Sequence, residues 1–239
     1  MSQILPTLLL LFLIAPPVLL AITVHEAAHG WVANRRGDPT AFLMGRVTFN
    51  PLKHIDPVGT ILVPAAVFLM SKTLVGVPFL FGWAKPVPVD WRRLRDPRWD
   101  MALVAAAGPT VNLLMAFAWG LAIKAMALIV TVVDVPSWLV QLYVEMCVVG
   151  IVINLVLMAL NLFPLLPLDG GRILNALLPP SLAARYSRLE RYGIVILMLL
   201  LFLPNGNPPG LLGAALRPVV SGVLTLIPAS ALVRDRFPI

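Results

Sequence analysis

Two histidines and a glutamate stand at a spacing that suits a metal site. His25-Glu26-Ala27-Ala28-His29 follows an apolar run, Ile4 to Val24, that contains no charged residue. Histidines four residues apart on a helix lie about 40° apart around the axis and about 6 Å apart along it, so both can bind one tetrahedral metal ion. Glu26 can then hold a metal-bound water as general base. The pattern indicates hydrolytic metal chemistry.

The position of the motif strengthens this interpretation. On a soluble helix, His-Glu-x-x-His is as readily a set of exposed polar residues. Here the ionisable groups end an apolar run, and burying such a group in a membrane without a partner costs several kcal/mol. We therefore expect a function for all three side chains.

Composition places the chain among integral membrane proteins. Of its 239 residues, 59% are hydrophobic and only 12% are charged, and the mean hydropathy is +0.92. A soluble domain would carry about twice that charged fraction. Cys147 is the one cysteine, which excludes a disulfide framework and favours a small buried side chain. The net charge of +7 comes from basic residues in short connections, so we expect lipid and not nucleic acid beside them.

The apolar runs predict an all-α polytopic membrane protein. We expect a single domain, 1–239, with a core at about 4–178 and C-terminal helices at about 191–232. About six transmembrane helices account for the runs, at residues 4–33, 57–70, 101–130, 138–163, 192–203 and 211–232. The first run lacks a basic start and a cleavage site, so we interpret it as a retained span and not as a signal peptide.

Two connections are too short to cross a membrane as helices. Thr40 to Pro51 is rich in β-favouring residues around a glycine, and we predict a short membrane-associated β-hairpin there, with an ordinary interfacial loop as the alternative. Thr73 to Trp83 carries two glycines and a proline, and we predict an extended re-entrant segment.

Basic residues predict the orientation of the chain. Arg35-Arg36 directly follows the first span, so the positive-inside rule places that end in the cytoplasm and the N-terminus outside the cell membrane. The histidine motif then lies toward the cytoplasmic side. The sixth span is expected to return to that side at Arg234-Asp235-Arg236.

A third metal ligand is the missing part of the site. Hydrolytic zinc usually has three protein ligands and an open fourth position. Asp169 emerges on the same side as the histidines by the span count and is the best candidate, although it also suits the N-cap of a short helix. His54, beside Asp56 in a connection, is interpreted as structural, with a metal or regulatory role as the alternative.

Taken together, these motifs resemble the site-2 protease family of intramembrane zinc metalloproteases. The resemblance covers about residues 23–172. It is carried by the His25 to His29 motif, Gly108-Pro109 with Asn112, and Asn161 through Asp169-Gly170. Phe81 to Pro88 and Asn50 to Pro57 resemble a compact prokaryotic branch that lacks PDZ and CBS modules.

The resemblance implies a complete site and a substrate. His25, His29 and Asp169 are expected to bind one Zn²⁺ per chain, with Glu26 as the general base. Asn161 and Asn112 are expected to contact the substrate or the reaction intermediate, with an interhelical hydrogen bond as the alternative for Asn112. The expected substrate is a transmembrane protein segment that must unwind before cleavage. The oligomeric state is left open.

A second class of function uses the same groups. In a transporter or channel, His, Glu and Asp side chains would form a metal or proton site along a pathway. That function predicts ligands spread through the bilayer and matching interrupted helices, and the sequence shows neither pattern.

Overall fold

The protein is built from helices around three long ones. The computed structural model describes residues 4–74, 82–202 and 210–236, and no strand occurs among them. Their α-helices are α1 (Ile4–Arg35), α2 (Thr40–Leu43), α3 (Val63–Leu74), α4 (Pro97–Ile129), α5 (Ser137–Asn161), α6 (Asp169–Leu177), α7 (Pro180–Ser187), α8 (Gly193–Phe202), α9 (Gly210–Leu224) and α10 (Ser230–Arg236). The all-helical prediction is confirmed for these residues.

Helices α1, α4 and α5 are long and apolar enough to cross a membrane. At about 1.5 Å per residue, α4 and α5 reach roughly 50 Å and 38 Å, against a hydrocarbon core of about 30 Å. The three correspond to the first, third and fourth predicted spans. Between α4 and α5, the Trp119 ring lies so close to Gly150 that a Cβ there would come within 2.6 Å of it.

Polar contacts join the end of α1 to the start of α4. Arg95 donates its backbone N–H to the carbonyl of Arg36 at 3.0 Å. The side chain of Arg36 lies 3.6 Å from the buried carboxylate of Asp100. The Asp96 carboxylate accepts the N–H of Trp99 and so caps α4, whose first residue is Pro97. These contacts fix the two helices relative to each other at one end.

The predicted β-hairpin is wrong. Residues 40–51 form the short helix α2 and a bend, followed by a 3₁₀ turn at Pro51–His54. Asp38 favours the helical turn because its carboxylate accepts the N–H of Thr40. Asn50 caps the next turn by accepting the N–H of Leu52. A lone two-stranded hairpin is only marginally stable, so these local hydrogen bonds decide the conformation.

The remaining predicted spans are helical but short. A π-helical stretch, Pro57–Leu62, leads into α3, and α8 and α9 contain 10 and 15 residues. Within the described residues, α8 and α9 are too short to cross a bilayer as straight helices. The predicted re-entrant segment, 73–83, lies largely outside the described residues, which resume at 82.

The C-terminal helix does not return to the side that the sequence predicts. Arg236 in α10 pairs with Glu145, which lies near the Ser137 end of α5. Glu145 is 16 residues from Asn161, or about 24 Å along the helix. The sequence predicts Arg234 to Arg236 on the same side as the histidine motif, whereas the structure places Arg236 against the opposite half of α5.

Asp38 is expected to stabilise the connection after α1. Its fully buried carboxylate accepts the backbone N–H groups of Thr40 and Asp90. Asp38→Ala leaves both donors without a partner and should lower the free energy of unfolding by about 2–4 kcal/mol. Unfolding of the purified protein in detergent measures this change. The exposed Asp134→Ala is the control, and equal stability of the two variants would contradict the assignment.

Candidate metal centre

Three ligand atoms from two helices meet at one point. His25 and His29 lie on the same face of α1, with their Nε2 atoms 3.1 Å apart. The Oδ2 atom of Asp169 lies 3.3 Å from Nε2 of His25 and 3.4 Å from Nε2 of His29. Both histidines are buried, and the Asp169 side chain is only 13% exposed. The structure thus brings together the three predicted ligands.

Close backbone packing places Asp169 there. A Cβ on Gly170 would lie 2.2 Å from the carbonyl oxygen of Leu162, and one on Gly171 would lie 2.4 Å from the backbone nitrogen of Leu166. The start of α6 therefore fits against the preceding turn only with glycines. At the other end of α6, Arg98 of α4 donates to the backbone carbonyls of Ala176 and Leu178.

Asp169 does not cap α6. The N-cap position is Leu168, with no side-chain cap, and Asp169 is the first helical residue. Its Oδ2 atom is buried and has no hydrogen-bond partner among the described residues. A buried acceptor oxygen without a donor is costly, so this position suits a cation.

The outer ring nitrogens show how the histidines are oriented. Nδ1 of His29 lies 2.7 Å from the carbonyl oxygen of Val104, and Nδ1 of His25 lies 2.5 Å from Oδ1 of Asn112. Both oxygens are acceptors, so each Nδ1 carries the hydrogen and each Nε2 keeps its lone pair. Two lone pairs and a carboxylate oxygen facing one another need a cation between them, and this donor set fits Zn²⁺.

Helix α4 packs directly on the two imidazoles. A Cβ on Gly108 would lie 2.4 Å from Cε1 of His25 and 2.6 Å from Nε2 of His29. Only glycine leaves room for the two rings at this position, so any larger residue at 108 would displace the histidines.

Glu26 faces the same cavity as the ligands and is held by a distant backbone group. Its Oε2 atom accepts the N–H of Val87 at 2.9 Å. Val87 belongs to residues 82–90, which have no regular secondary structure. Lys85 in this segment donates its N–H to the carbonyl of His54 and accepts a hydrogen bond from the side chain of Arg46.

A cavity of about 660 Å³ opens beside the ligands. Its lining is mainly apolar and includes Glu26, Asn161 and the ring of Trp83. His54 also lines it, with Nε2 3.1 Å from the carbonyl of Thr48 and Nδ1 without a hydrogen-bond partner in the described part of the chain. Asn112 is different, because its side chain is fully buried behind His25.

A helical membrane fold with a His₂-carboxylate centre and an adjacent glutamate defines a metal-dependent hydrolase of the membrane. The family model for Peptidase family M50 matches residues 120–204, which include Asp169. The chain is 37% identical over 200 residues to "Putative zinc metalloprotease YwhC" from Bacillus subtilis, an alignment that covers 80% of each chain. The chain belongs to peptidase family M50, and its resemblance to site-2 proteases is confirmed.

More distant relatives carry the same type of name. "Putative zinc metalloprotease Rip2" from Mycolicibacterium smegmatis is 27% identical over 189 residues, covering 79% of this chain and 66% of Rip2. Rip2 from Mycobacterium tuberculosis H37Rv is 25% identical over 194 residues, with the same coverage. No solved structure gives a significant match.

Several groups at the site had no signal in the sequence. The carbonyl of Val104 and the N–H of Val87 are backbone groups, which every residue type carries, so the sequence cannot identify them as part of the site. Asn154, which contacts Asn112, did carry a signal, because it is an amide in an otherwise apolar run.

Removing the third ligand should release the metal. We expect Asp169→Ala to weaken Zn²⁺ binding by at least about a hundredfold, because a structural or catalytic zinc ion depends on every protein ligand. Zinc content after dialysis against a chelator, measured by atomic emission on the purified chain, tests this. Asp235→Ala, at an exposed position in α10, is the control. Equal zinc retention by both variants would exclude Asp169 as a ligand.

Proposed function

We propose that this chain is a zinc metalloendopeptidase that hydrolyses peptide bonds within transmembrane segments. One observation carries the proposal: the Nε2 atoms of two histidines and a carboxylate oxygen converge beside Glu26, at the wall of an apolar cavity. Membership of the M50 family and the names of the relatives support the same activity.

Each residue at the site has a defined task in this reaction. His25, His29 and Asp169 hold the zinc ion, which when bound supplies a Lewis acid for the scissile carbonyl and the attacking water. Glu26 takes a proton from that water and later gives one to the leaving amine. The N–H of Val87 fixes the carboxylate of Glu26 through Oε2 and so orients it for the transfer.

The cavity suits an apolar peptide in an open conformation. A transmembrane helix has its carbonyls hydrogen-bonded, so a segment must unwind locally before zinc and water can reach one. Asn161 lines the cavity, and we propose that its side chain binds the unwound backbone. We assign Asn112 a different task from the predicted substrate contact, namely holding His25, because it is buried behind that ring.

A transporter is the less suitable interpretation of the same groups. An ion pathway needs polar groups at several depths. The ligand atoms of His25, His29 and Asp169 all lie within 4.8 Å of one another. This geometry provides one tight binding point, as hydrolysis requires.

We propose a cell-membrane location with the metal centre toward the cytoplasm. His29 lies six residues, or about 9 Å, from the basic end of α1 at Arg35. Exposed tryptophans beside arginines at this end fit a membrane–water interface. They are Trp31 with Arg35, Trp91 with Arg92, and Trp99 with Arg98. We also propose six membrane spans, in which the shorter helices α3, α8 and α9 belong to the second, fifth and sixth spans.

Glu26→Gln tests the general base. The variant keeps the size of the side chain and all three metal ligands, so it should bind zinc normally and cleave about 10²–10⁴-fold more slowly. The assay uses the purified chain in lipid vesicles with a mixed library of single-span transmembrane peptides, and mass spectrometry reads the products.

Glu145→Gln makes the same chemical change far from the site, at the ion pair with Arg236, and should cleave like the unmodified protein. Cleavage by Glu26→Gln at the rate of this control would show that another group acts as the base.

Cysteine labelling tests the orientation. In a Cys147→Ala background, Arg93→Cys and Asp134→Cys place exposed thiols in the connections before α4 and after it. A membrane-impermeant maleimide added to intact cells should label Asp134→Cys, and it should label Arg93→Cys only after the membrane is permeabilised. The reverse pattern would place the metal centre toward the outside.

A further inference from the structure

Whether Nε2 of His25 can bind a metal depends on the orientation of the side-chain amide of Asn112. Nδ1 of His25 meets Asn112, and an asparagine amide can rotate by half a turn with almost no change in shape. With Oδ1 toward His25, Nδ1 carries the hydrogen and Nε2 is free to bind a metal. With Nδ2 toward His25, Nδ1 must be the acceptor and the hydrogen moves to Nε2, which blocks the site. Some other group must fix the orientation of Asn112.

Asn154 in α5 provides that constraint. Its Nδ2 atom lies 2.8 Å from the backbone carbonyl of Gly150, a group that can only accept a hydrogen bond. Oδ1 of Asn154 must therefore face Asn112, and it lies 2.8 Å from Nδ2 of Asn112. Both side chains are 0% exposed, so solvent does not replace these bonds. One carbonyl thus sets the direction of two amides and one imidazole.

The other contacts show that His25 depends on this chain of bonds. Nδ2 of Asn112 has a second acceptor, the carbonyl of Ala21, but at 3.4 Å the bond is weak. His29 needs no such relay, because Nδ1 faces the carbonyl of Val104 directly. The two ligands of α1 are therefore oriented by different means.

We propose that Asn154 is a positioning residue of the metal centre: through Asn112 it holds His25 with Nε2 open to the metal. It is neither one of the three proposed ligands nor one of the residues that line the cavity. The inference rests on the zinc site assigned under the proposed function, and it extends that site to a residue on α5, a helix that supplies no metal ligand.

Zinc affinity is the direct test. We measure Zn²⁺ binding to the purified full chain in detergent by competition with a chromophoric chelator. Asn154→Leu removes the acceptor for Asn112 and should weaken binding by about 10–100-fold, as loss of an outer partner of a zinc histidine does. Cys147→Ala is the matched control, since Cys147 is fully buried on the same helix seven residues earlier. It should bind zinc like the unmodified protein.

The same substitution in an Asn112→Asp variant distinguishes a positioning role of Asn154 from a general packing role. In Asn112→Asp, a carboxylate presents an acceptor oxygen to His25 whichever way it is turned. Asn154→Leu should therefore cause no further loss of zinc affinity in this background, whereas a packing defect would weaken binding in both. Equal losses in the two backgrounds would overturn the proposal.

Asn154→Ala accompanies Asn154→Leu, because a smaller side chain cannot overpack the core. Either variant that elutes as a folded protein and binds zinc with unchanged affinity refutes the role of Asn154. Absence of zinc binding by the unmodified chain would be a different result, because it would refute the proposed function itself.

Discussion

The structure depends on the electrostatics of three converging acceptor atoms. Nε2 of His25, Nε2 of His29 and Oδ2 of Asp169 face one another and are largely buried. Such an arrangement is unfavourable without a cation and strongly favourable with one. The small residues of α6, the glycine of α4 and the hydrogen bonds behind the rings all act to keep these atoms together.

Helix α4 orients both histidines through a single face. Val104, Gly108 and Asn112 are spaced four residues apart, so they line one side of the helix. Val104 holds His29, Asn112 holds His25, and Gly108 admits both rings. The i, i+4 spacing of the ligands on α1 is thus matched by the same spacing on the helix that packs against it. Neither motif functions without the register between the two helices.

The sequence predicted the parts of the protein that depend on local pattern. Long apolar runs predicted α1, α4 and α5, and the spacing of His25 and His29 predicted two of the three ligands that the structure brings together. The β-hairpin failed because residue preferences pointed to strand while side-chain hydrogen bonds from Asp38 and Asn50 favoured turns. Asn112 was predicted to contact the substrate, with an interhelical hydrogen bond as the alternative. Its hydrogen bonds to His25 and Asn154 could not be identified from the sequence, because they depend on the packing of three helices.

Arg98 couples the two halves of the centre mechanically. Its guanidinium holds the C-terminal carbonyls of α6, while the same helix that carries it packs on the histidines of α1. The helix that makes room for both imidazoles is therefore also the helix that anchors α6, so one rigid element relates the position of the third ligand to that of the first two.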